Sequence, residues 1–414
     1  MDRRSILGLG GAAALSATTL FRRPPRPGRR WTHTWVSMPQ LTEPGNMPPA
    51  PFTQDGRVLA DATLRQTVHV TIAGSRLRLR FSNAFGGAVL PLTSVSVALP
   101  AGGLAGVSAI RAGTSRPVTF GGRASVVVPT GAQVVSDPID MPLAASSNLT
   151  VTAYLRDGQA SADITSHPGS RTTSYLLAGD HHDDTDLPGA TAVDHWYFLS
   201  GVEALAPGDA AGVVMLGDSL TDGRGSTTNQ NDRWPDQFLA RLQADRDTAG
   251  VAVLNQAAGG NRVLQDGLGP NALARLDRDV LALSGVRWLV VFEGVNDIGT
   301  GIAGADDLIA AYDQIIVRAH AHDIEVYGAT LTPFGGNEGY DDDAGTHEAI
   351  RSAVNHWIRH GRRFDAVLDF DVAARDPAQP RRLRPAYDVG DHLHLNPDGY
   401  RALAAAVPLR LFRS

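Results

Sequence analysis

The hydrophobic period of the chain changes near residue 212, and that change limits the possible folds more than any other feature of the sequence. Before it, short apolar runs alternate with polar residues and are cut by Gly, Pro, Ser and Asn. After it, continuous apolar runs alternate with longer stretches of helical period. Period two puts successive side chains on opposite faces of a strand, whereas a succession of strand, helix and strand builds a parallel sheet covered on both faces. With 414 residues the chain is longer than one hydrophobic core usually supports. The sequence therefore predicts an export signal and linker over 1–30, an all-β sandwich or jelly-roll domain over 31–205, and an α/β domain over 206–414.

Within 31–205 the clearest alternation is "TVHVTIAGSRLRLRFSNAFG", where Val68, Val70 and Ile72 precede Gly74-Ser75, and Leu77, Leu79 and Phe81 follow. The pattern predicts a hairpin. "SVSVAL", "ASVVVP", "LTVTAYL" and "HWYFLSGVEAL" read as further strands, and no helical stretch separates them. "GDHHDDTDLPGA", residues 179–190, is polar and rich in breakers, so it reads as a loop with His181 to Asp184 facing solvent. Trp31, Trp35 and Trp196 suit buried packing, with a glycan-stacking platform as the alternative.

From residue 212 the runs "GVVML", "VAVLNQA", "VRWLVVFEG", "IEVYGATLTP" and "AVLDF" read as five strands. Between them lie helical patterns: Trp234, Phe238 and Leu242 at i, i+4 and i+8 behind Pro235, then 271–283, 306–321 and 347–360, with a last helix from Pro397. This is the signature of a doubly wound, flavodoxin-like parallel sheet, in which ligands bind beyond the carboxyl ends of the strands.

Polar residues at those ends form a short set: Gly217-Asp218-Ser219 after the first strand, Gly259-Gly260 after the second, Glu293-Gly294-Val295-Asn296-Asp297 after the third, and Asp391-His392-Leu393-His394 farther on. Together they supply the parts of an acyl-transfer site. A serine hydroxyl needs a base to take its proton, histidine titrates near neutrality, and a carboxylate must hold the imidazole in the useful tautomer. Asp391 and His394 stand close enough in sequence for that contact. Backbone N–H groups at Ser219 and Gly259, with the Asn296 side-chain amide, are candidate donors to an oxyanion, and Gly260 is the alternative to Gly259. Taken singly, each motif also reads as a turn or a helix cap; all of them in order at strand ends point to catalysis.

As a set, "GDSL" with Ser219, the glycine after the second strand, Gly294-Val-Asn296-Asp and Asp391-His-Leu-His394 resemble the four blocks of the SGNH (GDSL) hydrolases. The resemblance implies the SGNH fold and ester hydrolysis, with Ser219 as nucleophile and first oxyanion donor, Gly259 and Asn296 as the other donors, and His394 with Asp391 as base and orienting acid. "GDSLTDGRGSTTNQNDRWPDQF", "GVNDIG" and "DHLHLNPDGY", behind a β-rich region containing "TLRQTVHVTIAGSRLRLRFSNAFG", are similar to secreted actinobacterial SGNH esterases grouped with xylanolytic arylesterases and acylhydrolases. The loops "TDGRGSTTNQND" and "PFGGNEGYDDDAGTH" are strongly polar, which favours an acylated sugar over a fatty chain. Arg224, Arg262 and Glu338 are candidate contacts for a hydroxylated or anionic substrate. A lipolytic or aryl esterase is the alternative. A noncatalytic glycan-binding protein on the same scaffold is expected to have lost one of these residues, and none is lost.

Composition removes other chemistries. No lysine is present, which excludes a Schiff-base or P-loop lysine, and no cysteine is present, which excludes disulfides, a thiol nucleophile and Cys-ligated zinc. Neither the "HHDD" run nor His392 with His394 has helical metal-ligand spacing, and "YDDDAGTHE" lacks the pattern of an EF-hand loop, so no metal or other cofactor is expected. A net charge of −6 with scattered carriers announces no nucleic-acid partner. Arg3-Arg4 followed by a short apolar stretch from Ile6 to Leu20, and then three prolines and five arginines in 21–30, reads as a twin-arginine export signal with a linker. The expected protein is thus secreted, without a membrane span, and acts on an ester substrate; its oligomeric state is not legible.

Overall fold

The computed structural model describes residues 28–413, so the expected export signal lies outside the described residues. The N-terminal region is all-β, apart from short 3-10 turns. Its main strands are β1 (Arg29–Val36), β2 (Ala62–Val70), β3 (Leu77–Ser82), β4 (Ser94–Ala98), β5 (Gln133–Val135), β6 (Ser147–Leu155), β7 (Thr165–His167), β8 (Ser174–Ala178) and β9 (Leu199–Pro207). One antiparallel sheet has the order β1-β9-β3-β5. A second runs β8-β2-β6-β4, with short edge strands Thr191–Val193 and Arg116–Pro117 outside β8 and β4. Leu64, Val68 and Val70 of one sheet and Leu77, Leu79 and Phe81 of the other belong to a single buried cluster, as two packed inner faces require.

The expected hairpin between residues 68–72 and 77–81 does not form. β2 pairs with β6 and β8, whereas β3 pairs with β9 and β5. The residues between them cross from one sheet to the other: Thr71 N–H bonds to Thr34 O, Gly74 N–H to Leu143 O and Ser75 N–H to Leu205 O. Alternation fixes which face of a strand is apolar, not which strand lies beside it.

The polar loop 179–190 carries no strand, as expected, but its backbone is anchored. The buried Arg65 of β2 donates to Asp184 O at 2.7 Å and to Ser108 O at 2.6 Å. Its histidines bond to carboxylates nearby, His181 to Asp184 and His182 to Asp180, and among the described residues no three potential ligands converge. Trp35 and Trp196 are buried and meet edge to face at 4.9 Å, which makes them packing residues.

The second region holds a five-stranded parallel sheet of β10 (Ala211–Gly217), β11 (Val251–Ala257), β12 (Val286–Phe292), β13 (Glu325–Ala329) and β14 (Ala366–Leu368). Its order is β11-β10-β12-β13-β14, so the chain reverses its direction of winding beside β10. Every residue of β10 is buried, the pattern of a strand covered on both faces. Helices α1 (Ser219–Asp222), α2 (Trp234–Ala244), α3 (Ala272–Leu276), α4 (Val295–Gly299), α5 (Ala305–His320), α6 (Thr346–His360), α7 (Phe370–Ala374) and α8 (Pro397–Ala406) accompany the sheet. Trp234, Phe238 and Leu242 of α2 are buried as their spacing predicts. The helix expected over 271–283 is shorter, because α3 passes into a π-helical turn, Asp277–Leu281. Val36, Ile72 and Ala206 of the β-rich region pack into the core of the parallel sheet, so the two regions share apolar surface. No helix among the described residues is long and apolar enough to cross a membrane.

Candidate active site

Register brings the strand ends together. Gly217 pairs with Ala257 of β11 and with Phe292 of β12, so Asp218-Ser219, Ala258-Gly259 and Glu293-Gly294 all leave the sheet at one edge. Asp218 caps α1, its Oδ1 accepting Leu220 N–H at 2.9 Å, and this turns Ser219 out of the strand into the first helical position. Gly294 has φ 130, and a Cβ there would lie 2.5 Å from the Tyr312 hydroxyl, so the turn that carries Asn296 into α4 admits only glycine.

The residues singled out in the sequence meet. Ser219 Oγ lies 2.8 Å from His394 Nε2, and His394 Nδ1 lies 2.6 Å from Asp391 Oδ2. Asp391 Oδ1 also accepts the backbone N–H groups of Leu393 and His394, at 3.0 and 2.8 Å, closing the turn that presents the imidazole. Burial raises the Asp391 carboxyl, but the bonds from the His394 backbone and ring more than offset it and hold it below the usual carboxylate range. Burial lowers His394 below 6.5; Asp391 opposes the shift, and the charges of Arg224 and Arg171 add to it. A hydroxyl on an imidazole whose far nitrogen is held by a carboxylate can be deprotonated as it attacks. His392, two residues away, points to Asp388 at 2.7 Å instead, so the two histidines serve different carboxylates.

Hydrogen-bond donors without acceptors stand at the same edge of the sheet as the serine. The backbone N–H groups of Ser219, Gly259 and Gly260 have no hydrogen-bond acceptor among the described residues. Gly260 is left-handed, with φ 68, and a Cβ on it would meet Leu268 at 2.8 Å; the nearest atom to a Cβ on Gly259 is Asp222 Oδ2 of α1, at 3.9 Å. Asn296 is buried and donates one Nδ2 hydrogen to Asn261 O at 2.7 Å, which leaves the other free. Arg224 and Glu338 are exposed on their loops, and Arg262 is half-buried with its guanidinium about the Gly267 backbone. None of the three has a side-chain hydrogen bond or ion pair among the described residues, and Arg224 is the one whose charge reaches His394.

Four residues that sequence reasoning passed over shape this edge. His167, at the end of β7, sets Nε2 3.0 Å from Asp222 Oδ1 and Nδ1 3.0 Å from Met38 O, and Arg171 Nη2 lies 3.5 Å from Asp222 Oδ2. Both come from the β-rich region, and Asp222 belongs to the same helical turn as Ser219. The buried Arg275 of α3 donates to Asn261 Oδ1 at 2.9 Å, Gln256 O at 2.5 Å and Gly217 O at 3.3 Å, lacing the ends of β10 and β11 together. Tyr340, from the loop after β13, donates to Asn296 Oδ1 at 2.5 Å. Asp297 is structural: its carboxylate accepts Val263 and Leu264 N–H, pinning the loop after β11 to α4. Behind the serine, burial pushes the Asp218 carboxyl up to about 7 and that of Glu293 well above its ordinary value.

The model of the GDSL-like Lipase/Acylhydrolase family matches residues 215–402, which include Ser219, Gly259, Asn296, Asp391 and His394. That segment is a GDSL-like hydrolase. It cleaves carboxylic esters, the reaction of lipases and acylhydrolases. Among solved structures the GDSL-like hydrolase segment is similar to a GDSL-like lipase from Bacteroides thetaiotaomicron, at 18% identity over 48% of this chain and 85% of that one, with a TM-score of 0.36. A catalytic mutant of an acetylxylan esterase from Geobacillus stearothermophilus matches at 19% identity over 49% of this chain and 94% of that one, with a TM-score of 0.37. No curated protein matches the chain in sequence.

Proposed function

We propose that the protein is a secreted serine esterase that removes short acyl groups, acetyl above all, from carbohydrate. The observation that carries this reading is the relay from Ser219 Oγ through His394 to Asp391, at 2.8 and 2.6 Å. Ser219 Oγ attacks the ester carbonyl as His394 Nε2 takes its proton; the tetrahedral intermediate collapses, and the alcohol leaves with that proton. Water then attacks the acyl-enzyme, His394 takes its proton, and Ser219 is released with it as the acid departs. The N–H groups of Ser219 and Gly259 and the free Nδ2 hydrogen of Asn296 hold the oxyanion in both steps. Gly259 is preferred to Gly260 because it stands against α1, the turn that carries Ser219. The chemistry uses no metal or other cofactor.

The sugar preference rests on the walls of the site. Arg224, Thr227, Thr228 and Gln230 are exposed on the loop after α1, as are Glu338 and Asp343 on the loop after β13, and polar, hydrated walls suit hydroxylated substrates better than acyl chains. Arg224, Arg262 and Glu338 are the contacts this reading assigns to the alcohol part. The twin-arginine sequence at Arg3-Arg4 supports export, the kinship is with the xylanolytic and arylesterase subgroup, and the reading divides the chain near residue 206 into β-sandwich and hydrolase domains. The family description also covers lipases, so the test is a panel of acyl lengths on aryl, xylan and glycerolipid scaffolds. Acetylated xylan and short aryl esters should be preferred; preference for long-chain glycerolipids overturns the substrate assignment.

The electrostatics give a second check. A neutral His394 is the working base, so the acidic limb of kcat/KM should lie below pH 6.5, where its lowered pKa places it. Arg171 is one of the cations that disfavour the imidazolium, so Arg171→Gln should raise the pKa and move that limb to higher pH. The pH profiles of the two proteins decide the matter, and a limb that stays or moves downward contradicts it.

A further inference from the structure

Asn296 is held at both ends of its side chain. The atom facing the Asn261 carbonyl, at 2.7 Å, must be Nδ2, because a carbonyl oxygen only accepts. Oδ1 therefore faces the Tyr340 hydroxyl at 2.5 Å, and the phenol is the donor. Burial pushes the Tyr340 phenol up to about 12, so it keeps its proton throughout the pH range in which His394 works as a base. One N–H of the amide then remains, and its direction is fixed by the two bonds already made.

Tyr340 is itself anchored. Its backbone N–H bonds to Asn337 Oδ1 at 3.0 Å, and its carbonyl lies 2.8 Å from His347 Nδ1. Its ring meets Phe334 edge to face, centroids 6.1 Å apart, and covers Gly299, where a Cβ would come within 2.2 Å of the ring. Asn337 Nδ2 donates to Asp391 O at 2.7 Å, so the same turn touches the backbone of the acid at the far side of the site. The loop is thus a brace between the two halves of the catalytic edge and more than a wall for substrate.

We propose that Tyr340 is a positioning residue for ester cleavage, acting through Asn296 by turning its amide so that the free N–H points at the oxyanion. This rests on the reading of Asn296 as an oxyanion donor. An amide without its Oδ1 partner can rotate about its last torsion, and the donor then serves the transition state for only part of the time, which lowers kcat while substrate binding is untouched.

The test is a double-mutant cycle on the full chain with p-nitrophenyl acetate: Tyr340→Phe, Asn296→Ala and both together, with unfolding temperatures for all four proteins. The phenylalanine keeps the ring on Gly299 and Phe334. Tyr340→Phe should lower kcat roughly 10-fold, as loss of one hydrogen bond allows, with KM unchanged, and it should have no further effect once Asn296 is alanine. An equal fall in kcat in the Asn296→Ala background, a change confined to KM, or no change at all overturns the role given to Tyr340. Unaltered turnover in Asn296→Ala alone overturns the donor reading of Asn296 instead, so the two failures are told apart.

Discussion

Ser219→Ala should abolish hydrolysis of p-nitrophenyl acetate, with a fall in kcat of roughly 10⁴- to 10⁶-fold, while the unfolding temperature stays near that of the native protein. The size of the effect follows from chemistry: without Oγ no acyl-enzyme can form, and what is left is the stabilisation that the oxyanion donors give to direct attack by water. The neutrality toward stability follows from position. Ser219 begins α1, but the cap of that turn is Asp218, whose side chain receives Leu220 N–H, and among the described residues the hydroxyl's hydrogen bond is to the His394 ring. Activity that survives the substitution at more than a few per cent places the nucleophile elsewhere.

Asn296→Ala should be the next most damaging change, lowering kcat about 10²- to 10³-fold with a smaller effect on KM, the usual consequence of removing one oxyanion donor. Asn296 sits where two constraints converge. The left-handed Gly294 lets α4 begin immediately after β12, and the loop carrying Asn261 is tied down by Asp297 and Arg275. Loss of the amide leaves Asn261 O and the Tyr340 hydroxyl without their partner, so a moderate fall in stability is expected beside the catalytic one. Steady-state kinetics with thermal denaturation separates the two, and an unchanged kcat removes Asn296 from the site.

Strand ends were readable in the sequence because a fully buried parallel strand is a continuous apolar run, and the first polar residue after it marks the edge. Gly217, Ala257 and Phe292 lie in register for that reason, and Ser219, Gly259 and Asn296 follow from them. His394 and Asp391 were readable because their contact is local, within one turn. The pairing of β2 with β6 and β8 was not, since alternation is the same whichever strand lies alongside. His167 and Arg171 left no signal either: their meaning comes from a contact with Asp222 across more than fifty positions. Arg275 and Tyr340 left faint ones, a charged residue within the apolar "NALARL" helix and an aromatic just before the acidic run of a polar loop. Both are second partners of residues that the motifs had already marked, which no spacing rule reveals.

Acyl transfer to Ser219 is the step on which the catalytic roles of His394, Asp391 and Asn296 depend, and it can be observed directly. The enzyme mixed with excess p-nitrophenyl acetate and quenched in acid within the first turnovers should carry one acetyl group, and peptide mass spectrometry should place it on the fragment containing Ser219. Asn296→Ala should accumulate the same adduct more slowly, and Ser219→Ala should carry none. Acetyl found on another residue, or its absence from an enzyme that releases p-nitrophenol in a burst, contradicts Ser219 as the nucleophile.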